Sequence, residues 1–201
     1  MECCKLCFEE IEISGFNALR KGACICQNCY NKFNVVWKKE YIDKVETLII
    51  YEYDDYLKKL FFQFKGCYDY DLKDVFLFRH LFELKLLYKD YLIVPIPSSE
   101  SSNKKRGYNH VVEIFKSLNL PIYRCIKKKE DFKQSELNKK EREKIINKLV
   151  VRNGEKIKDK KILIVDDIIT TGSSLKACIN LVSKYKPKLL KSLIICKKMS
   201  K

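Results

Sequence analysis

The stretch Ile162-Leu-Ile-Val-Asp-Asp-Ile-Ile-Thr-Thr-Gly-Ser-Ser174 decides the fold of this chain. Its first four residues are all apolar, a pattern typical of a strand buried in the middle of a parallel sheet. Asp166 and Asp167 follow directly, at the carboxyl end of that strand, where open α/β sheets bind their ligands. Small residues then lead into a helix predicted over residues 173–185. The stretch therefore predicts an α/β fold with a ligand site at this edge.

The turn after the two acids has the composition of an anion site. It consists of Thr170, Thr171, Gly172, Ser173 and Ser174. Backbone N–H groups, hydroxyls and the positive end of a helix suit a phosphate monoester, and glycine permits close backbone approach. Carboxylates repel phosphate, so a ligand with ribose hydroxyls between its phosphate and the acids accounts for both features. An ordinary strand–turn–helix with a solvated acidic corner is the alternative.

These thirteen positions resemble the phosphoribosyl pyrophosphate (PRPP) motif of type I phosphoribosyltransferases. By that resemblance Asp166 and Asp167 are the catalytic pair that holds the ribose 2′ and 3′ hydroxyls, and residues 170–174 hold the 5′-phosphate. The resemblance also implies that Mg²⁺ accompanies PRPP. The expected fold is then the type I phosphoribosyltransferase fold, a mostly parallel sheet flanked by helices, with a small zinc-ribbon-like module at its amino terminus.

Further motifs extend the resemblance to the ComF family of competence-associated proteins. In chain order they are a Cys-rich amino terminus, Phe64-Lys65-Gly66, Val94-Pro95-Ile96-Pro97, Arg106-Gly107-Tyr108-Asn109, and a loop with Gln134, Leu137 and Arg142. The resemblance implies a weaker pyrophosphate loop made by Pro97, Ser98, Ser99 and Arg106. Residues 127–142 are either a mobile hood over the site or an exposed connector. His110 stands where the family commonly has Gln, and we interpret it, like His80, as structural.

Hydrophobic patterning divides the rest of the chain. Short apolar runs predict strands at residues 48–53, 91–96, 122–126, 149–151, 161–165 and 189–196. Apolar residues at helical spacing predict helices at 54–64, 72–88, 109–118 and 173–185. We expect residues 47–201 to form the phosphoribosyltransferase-like domain and residues 1–46 to form a Cys-rich module with a basic connector or short helix. A chain of 201 residues can bury one such core with a small satellite.

The cysteines are concentrated at the amino terminus, where six of the ten lie within residues 3–29. The pairs Cys4/Cys7 and Cys26/Cys29 each have C-x2-C spacing and predict a closed, structural Zn²⁺ site. Bound metal would supply the folding free energy that so small a segment lacks. Exchange of Cys3 for Cys4 or of Cys24 for Cys26 stays open, and unliganded thiols are the alternative. The remaining cysteines, Cys67, Cys125, Cys178 and Cys196, are expected to be buried apolar residues.

The formal net charge of +15 favours association with a polyanion, although a Lys-rich composition with solvated faces is an equal alternative. Tyr30, Phe33 and Trp37 lie among lysines beside the cysteines. They could stack the bases of a single strand, or pack the module onto the main domain. No apolar run is long enough to cross a bilayer and Met1 is not followed by a secretory signal, so we expect a cytoplasmic protein without a membrane span.

Two functions remain open at this point. The first is a PRPP-binding, phosphoribosyltransferase-like protein that handles incoming single-stranded DNA during natural transformation, with competence or DNA-uptake proteins as partners. The second is an active phosphoribosyltransferase of nucleotide metabolism that does not bind DNA. The residues that would hold the donor are visible in the sequence and those of an acceptor site are not, so turnover of PRPP stays undecided.

Overall fold

The structure, a computed structural model, describes residues 2–11, 23–128 and 149–198. Its centre is a five-stranded sheet with the strand order β1-β2-β7-β6-β3. The strands are β1 (Val35–Ile42), β2 (Val45–Glu52), β3 (Leu92–Pro95), β6 (Lys161–Ile169) and β7 (Leu189–Lys197). β1 is antiparallel to β2, and the pairs β2–β7, β7–β6 and β6–β3 are parallel. The predicted mostly parallel α/β architecture is therefore confirmed.

Helices cover both faces of this sheet. They are α1 (Gln27–Tyr30), α2 (Asp55–Lys65), α3 (Leu81–Leu87), α4 (Glu100–Arg106), α5 (His110–Phe115) and α6 (Ser173–Ser183). Leu163 and Val165 of β6 pack in one buried cluster with residues of α2, α3 and α5, while Ile162 and Ile164 pack with α6. Because both faces are covered, residues 162–165 of the strand are all apolar. Across the described ranges, no helix has the length and apolar character needed to span a bilayer.

The predicted basic connector at residues 35–46 is wrong, because most of it is the edge strand β1. β1 pairs with β2 from Val35 opposite Tyr51 to Ile42 opposite Val45. Its lysines suggested a connector, yet lysine is common on edge strands, where it discourages pairing with another chain. The β1–β2 hairpin crosses residue 46, and the division of the chain there stays a prediction.

The predicted helix at residues 72–88 is also wrong in its first half. The structure has two short 3₁₀ turns, Tyr70–Asp74 and Phe78–His80, before α3 begins at Leu81. The buried Tyr51 hydroxyl donates a hydrogen bond of 3.1 Å to the carbonyl oxygen of Phe76. A tertiary contact thus binds a carbonyl that a continuous helix would use internally.

A separate two-stranded ribbon accounts for two further predictions. β4 (Ile126–Lys128) pairs antiparallel with β5 (Leu149–Val151), outside the main sheet. The strand predicted at 149–151 is confirmed. Of the strand predicted at 122–126, only its two ends are paired: Ile122 forms a single bridge with Ile93, and Ile126 is the first residue of β4. Gln134, Leu137 and Arg142, with most of the predicted hood, lie outside the described residues.

Candidate functional site

The two acids lie near the carboxyl end of β6, which continues to Ile169 rather than ending at residue 165 as predicted. Asp166 is half-buried, whereas Asp167 is only 5% exposed. A carboxylate oxygen of Asp166 accepts the N–H of Asp167 at 3.0 Å, and one of Asp167 accepts the N–H of Ile168 at 2.8 Å. Neighbours in sequence, the two carboxyls therefore differ in their access to a ligand.

Two helix ends meet at Asp167. Lys65, the last residue of α2, forms an ion pair with Asp167 Oδ2, and Nε2 of His110, the first residue of α5, lies 3.1 Å from the same oxygen. A terminal nitrogen of Arg106 lies 2.9 Å from His110 Nδ1. Because guanidinium only donates, Nδ1 accepts, and the imidazole proton is on Nε2, the nitrogen nearer to Asp167. Arg106, His110 and Asp167 thus form one chain of polar contacts.

The electrostatic environment separates the two acids. Burial opposes ionisation of Asp167, but the charge of Lys65 and the polar contact with His110 outweigh it and hold the pKa of Asp167 well below its usual range. Burial and the nearby negative charge of Asp167 raise the pKa of Asp166. Environments that push two carboxyl pKa values apart assign them different roles. Asp167 is the ionised anchor, and Asp166 is the acid whose ionised form is the less favoured of the two.

His110 has a larger role than the sequence indicated. It is the first residue of α5, as expected for a structural histidine at a helix start, but it is 8% exposed rather than on the surface and contacts both Arg106 and Asp167. Burial lowers its pKa, and the charges of Lys65 and Arg106 act in the same direction against the opposing effect of Asp167. His110 is therefore neutral at neutral pH.

Replacement of His110 by Gln is expected to reduce the sensitivity of the protein to acid. The unfolded state binds a proton on His110 near pH 6.5 and the folded state only at lower pH, so acidification below about 6.5 favours unfolding. His110→Gln keeps an N–H donor for Asp167 and removes this titration. In urea unfolding at pH 7.5 and 5.5, wild type should lose more free energy of unfolding than His110→Gln; equal losses would contradict this assignment.

The segment predicted to form the pyrophosphate loop is joined to the same network. Ser98 Oγ accepts hydrogen bonds from the side-chain amides of Asn103 (2.8 Å) and Asn109 (3.1 Å). Ser99 caps α4, a helix that the sequence pattern did not predict, and Pro97 precedes both serines. Arg106 Nε donates to the carbonyl oxygen of Lys65 at 3.2 Å. The guanidinium of Arg106 therefore links this segment to the ion pair at Asp167.

The small-residue turn has the backbone that the sequence required. Gly172 has φ = 73°, in the left-handed region, and no atom lies within 4 Å of the position that a Cβ would take. Conformation rather than crowding therefore requires glycine there. Thr171 Oγ1 lies 3.0 Å from Ser173 Oγ, and α6 begins at Ser173 with no acidic residue in its first turn. Thr170, Thr171 and Ser174 are exposed beside this helix start.

Four cysteines converge at the amino terminus. The Sγ atoms of Cys4, Cys7, Cys26 and Cys29 all lie within 4.8 Å of one another. The Cys7–Cys26 separation of 3.7 Å matches the roughly 3.8 Å expected between thiolates on a tetrahedral Zn²⁺. Burial of Cys4 is outweighed by backbone N–H groups, mainly that of Cys26, and the pKa of Cys4 falls to about 7. These residues fit a metal that binds thiolates.

The other cysteines lie outside that group. Cys3 is exposed, and Cys24 is buried with its thiol 3.6 Å from the carbonyl oxygen of Asp74. All ten cysteines are free. Cys125, Cys178 and Cys196 are buried as expected, whereas Cys67 is exposed, contrary to the prediction.

The aromatic residues beside the cysteines pack inward. The Phe33 ring lies 5.1 Å from Tyr51 and 5.2 Å from Tyr56, and Trp37 stacks on His80 at 4.8 Å. Cys4, Cys29 and Phe33 belong to the same buried cluster as the main sheet. Of the two interpretations of these aromatics, packing of the module onto the domain agrees with the structure, and His80 is structural as expected.

The model of the phosphoribosyl transferase domain family matches residues 104–201. The chain is 32% identical over 150 residues to the competence protein ComFC of Streptococcus pneumoniae, covering 75% of this chain and 64% of that protein. It is 25% identical over 157 residues to ComFC of Bacillus subtilis, covering 75% of this chain and 62% of that protein. The chain therefore spans less than two thirds of the length of these relatives.

Solved structures with a similar arrangement include a hypoxanthine phosphoribosyltransferase from Staphylococcus aureus, with 17% identity, a TM-score of 0.38 and 61% coverage of each chain. The described topology, the family match and the relatives agree with one another. The chain belongs to the ComF/ComFC family and has a phosphoribosyltransferase-like fold.

Proposed function

We propose that this protein binds PRPP together with Mg²⁺ and acts in the cytoplasmic handling of incoming single-stranded DNA during natural transformation. One observation carries the ligand assignment: the carboxyl edge of the sheet places two unlike carboxyls beside a hydroxyl-rich turn at a helix start. The name of the ComFC relatives and the charge of +15 support the DNA role.

The turn at residues 170–174 would receive the 5′-phosphate. Its hydroxyls are exposed, its backbone is open at Gly172, and the first turn of α6 adds N–H donors and a positive dipole. Asp166, the more accessible acid, would accept a hydrogen bond from a ribose hydroxyl. Asp167 would hold Lys65 and His110 in place behind it and accept a second hydroxyl at its remaining lone pairs.

The diphosphate of PRPP calls for positive charge at the neighbouring edge. Ser98 and Ser99 would supply hydroxyl donors there, and Arg106 the charge, from its position beside His110. Asp166 is also suited to a divalent cation, because burial and the charge of Asp167 make its ionised form costly without one. When bound, Mg²⁺ neutralises diphosphate charge. Asp166 is the residue that would face it.

Calorimetric titration of the purified protein tests this proposal. PRPP with Mg²⁺ should bind with one-to-one stoichiometry, and more tightly than ribose 5-phosphate or pyrophosphate alone, because each of those fills only part of the site. Wild-type protein, folded and loaded with metal, that takes up no PRPP would overturn the assignment. Release of pyrophosphate on addition of purine or pyrimidine bases would favour the alternative of an active transferase in nucleotide metabolism.

A further inference from the structure

An open groove lies along the outer face of α2, with a volume of about 830 Å³. Its lining includes Lys58, Lys59, Phe61, Phe62, Lys65 and Ile168. α2 follows β2 directly and Ile168 follows Asp167, so the groove is at the same edge of the sheet as the two acids. One end of it is therefore next to the proposed PRPP site, and Lys65 is common to both.

The groove combines an exposed aromatic ring with free positive charge. Phe62 is 66% exposed, which is unusual for a phenylalanine in the middle of a helix. Lys58 and Lys59 are exposed on the same helix, and neither forms an ion pair within the described part of the chain. An aromatic platform flanked by lysines is the arrangement that binds single-stranded nucleic acid, because bases stack on the ring while phosphates meet the charges.

We infer that the α2 groove is the surface on which this protein binds single-stranded DNA, with a base stacked on Phe62 and phosphates at Lys58 and Lys59. The inference rests on the proposed DNA-handling role and gives that role a location. The aromatics of the cysteine module do not supply such a surface, because Phe33 is buried and Trp37 stacks on His80.

A second exposed phenylalanine provides a matched control. Phe82 on α3 is 68% exposed, and the exposed lysines Lys85 and Lys89 follow it in the sequence. α3 precedes β3, so it leads into the amino end of the sheet, away from the acids. Phe82→Ala and Lys85→Gln/Lys89→Gln thus remove the same chemical groups at a place where single-stranded DNA is not expected to bind.

The test is fluorescence anisotropy of a labelled oligothymidine of about 16 nucleotides, the upper end of the usual range of single-strand site sizes, over a series of salt concentrations. Phe62→Ala should weaken binding about tenfold. Lys58→Gln/Lys59→Gln should weaken it and reduce the slope of log affinity against log salt by about 1.4, the value for two phosphate contacts on a single strand. The two α3 variants should bind as wild type does. Urea unfolding and zinc content identify any variant that has lost its fold.

The outcomes separate this inference from the role on which it rests. Wild-type protein that binds no oligothymidine overturns the DNA-handling role and the groove assignment together. Wild-type binding that both α2 variants retain overturns the groove assignment alone. Binding of thymidine monophosphate as tight as that of the oligomer, or loss of a dimer in Phe62→Ala with strand binding intact, also overturns it, in favour of a nucleotide pocket or a protein interface.

Discussion

Asp167→Asn is expected to lower the stability of the protein and Asp166→Asn to leave it nearly unchanged, although the two acids are adjacent in the sequence. Asp167→Asn leaves Lys65 beside a neutral partner, and loss of one partner of a largely buried ion pair should lower the free energy of unfolding by about 2 to 3 kcal/mol, allowing for partial exposure of Lys65. Asp166→Asn removes a carboxylate whose ionised form is disfavoured by burial and by the charge of Asp167, so stability at pH 7 should stay within about 0.5 kcal/mol of wild type or rise.

For PRPP binding, Asp166→Asn should have the larger effect of the two substitutions. Asp166→Asn removes the accessible carboxylate and should abolish calorimetric uptake of PRPP in a protein that remains folded. Both variants are tested by urea unfolding for stability and by calorimetric titration for PRPP binding. Asp90→Asn, at an exposed position, is the control. Equal losses of stability in both variants would contradict the separation of roles.

A double variant examines the cause. Lys65→Met/Asp167→Asn removes both charges of the pair, and replacing a whole buried pair is far less costly than breaking it. The double variant should therefore recover part of the stability that Asp167→Asn loses. If the stability losses of the single variants Lys65→Met and Asp167→Asn simply add in the double variant, Lys65 and Asp167 do not interact in the way that their contact implies.

The sequence predicted the buried strand, the glycine turn and the following helix around Asp166 and Asp167 because their determinants are local. The apolar run of β6, the two acids and Gly172 are consecutive, and each residue type has a direct physical reason. The partners of Asp167 are not local: Lys65 and His110 come from the ends of two other helices. The resemblance singled out the segments that contain both, but only the fold shows that they share one carboxylate oxygen.

The wrong predictions have similar causes. The lysines of Val35–Ile42 suggested a connector, since the sequence alone does not reveal that this segment is an edge strand. In residues 72–88 the apolar spacing suits a helix, yet the hydroxyl of Tyr51, on strand β2, donates a hydrogen bond to the carbonyl oxygen of Phe76. In both places a tertiary contact overrides a local preference.

Cys26→Ser is expected to remove the bound metal and much of the stability of the amino-terminal module. A structural Zn²⁺ held by four thiolates contributes on the order of 10 kcal/mol to the folding of a small module, and three thiolates retain only part of it. The module shares its buried cluster with the main sheet through Cys4, Cys29 and Phe33. The loss should therefore reach the main domain, and we expect thermal unfolding in two steps or at a clearly lower temperature.

Zinc content by atomic absorption, measured with thermal unfolding, distinguishes ligands from neighbouring thiols. Cys3→Ser should keep its metal and its unfolding temperature, because Cys3 is exposed and outside the four-sulfur group. Cys24→Ser should keep the metal as well, since the Cys24 thiol contacts the carbonyl of Asp74 and lies outside that group. Metal loss in Cys3→Ser or Cys24→Ser, with retention in Cys26→Ser, would mean that the alternative cysteines bind the ion. The four-sulfur geometry favours the first outcome, because its 3.7 Å Cys7–Cys26 separation already suits a tetrahedral ion.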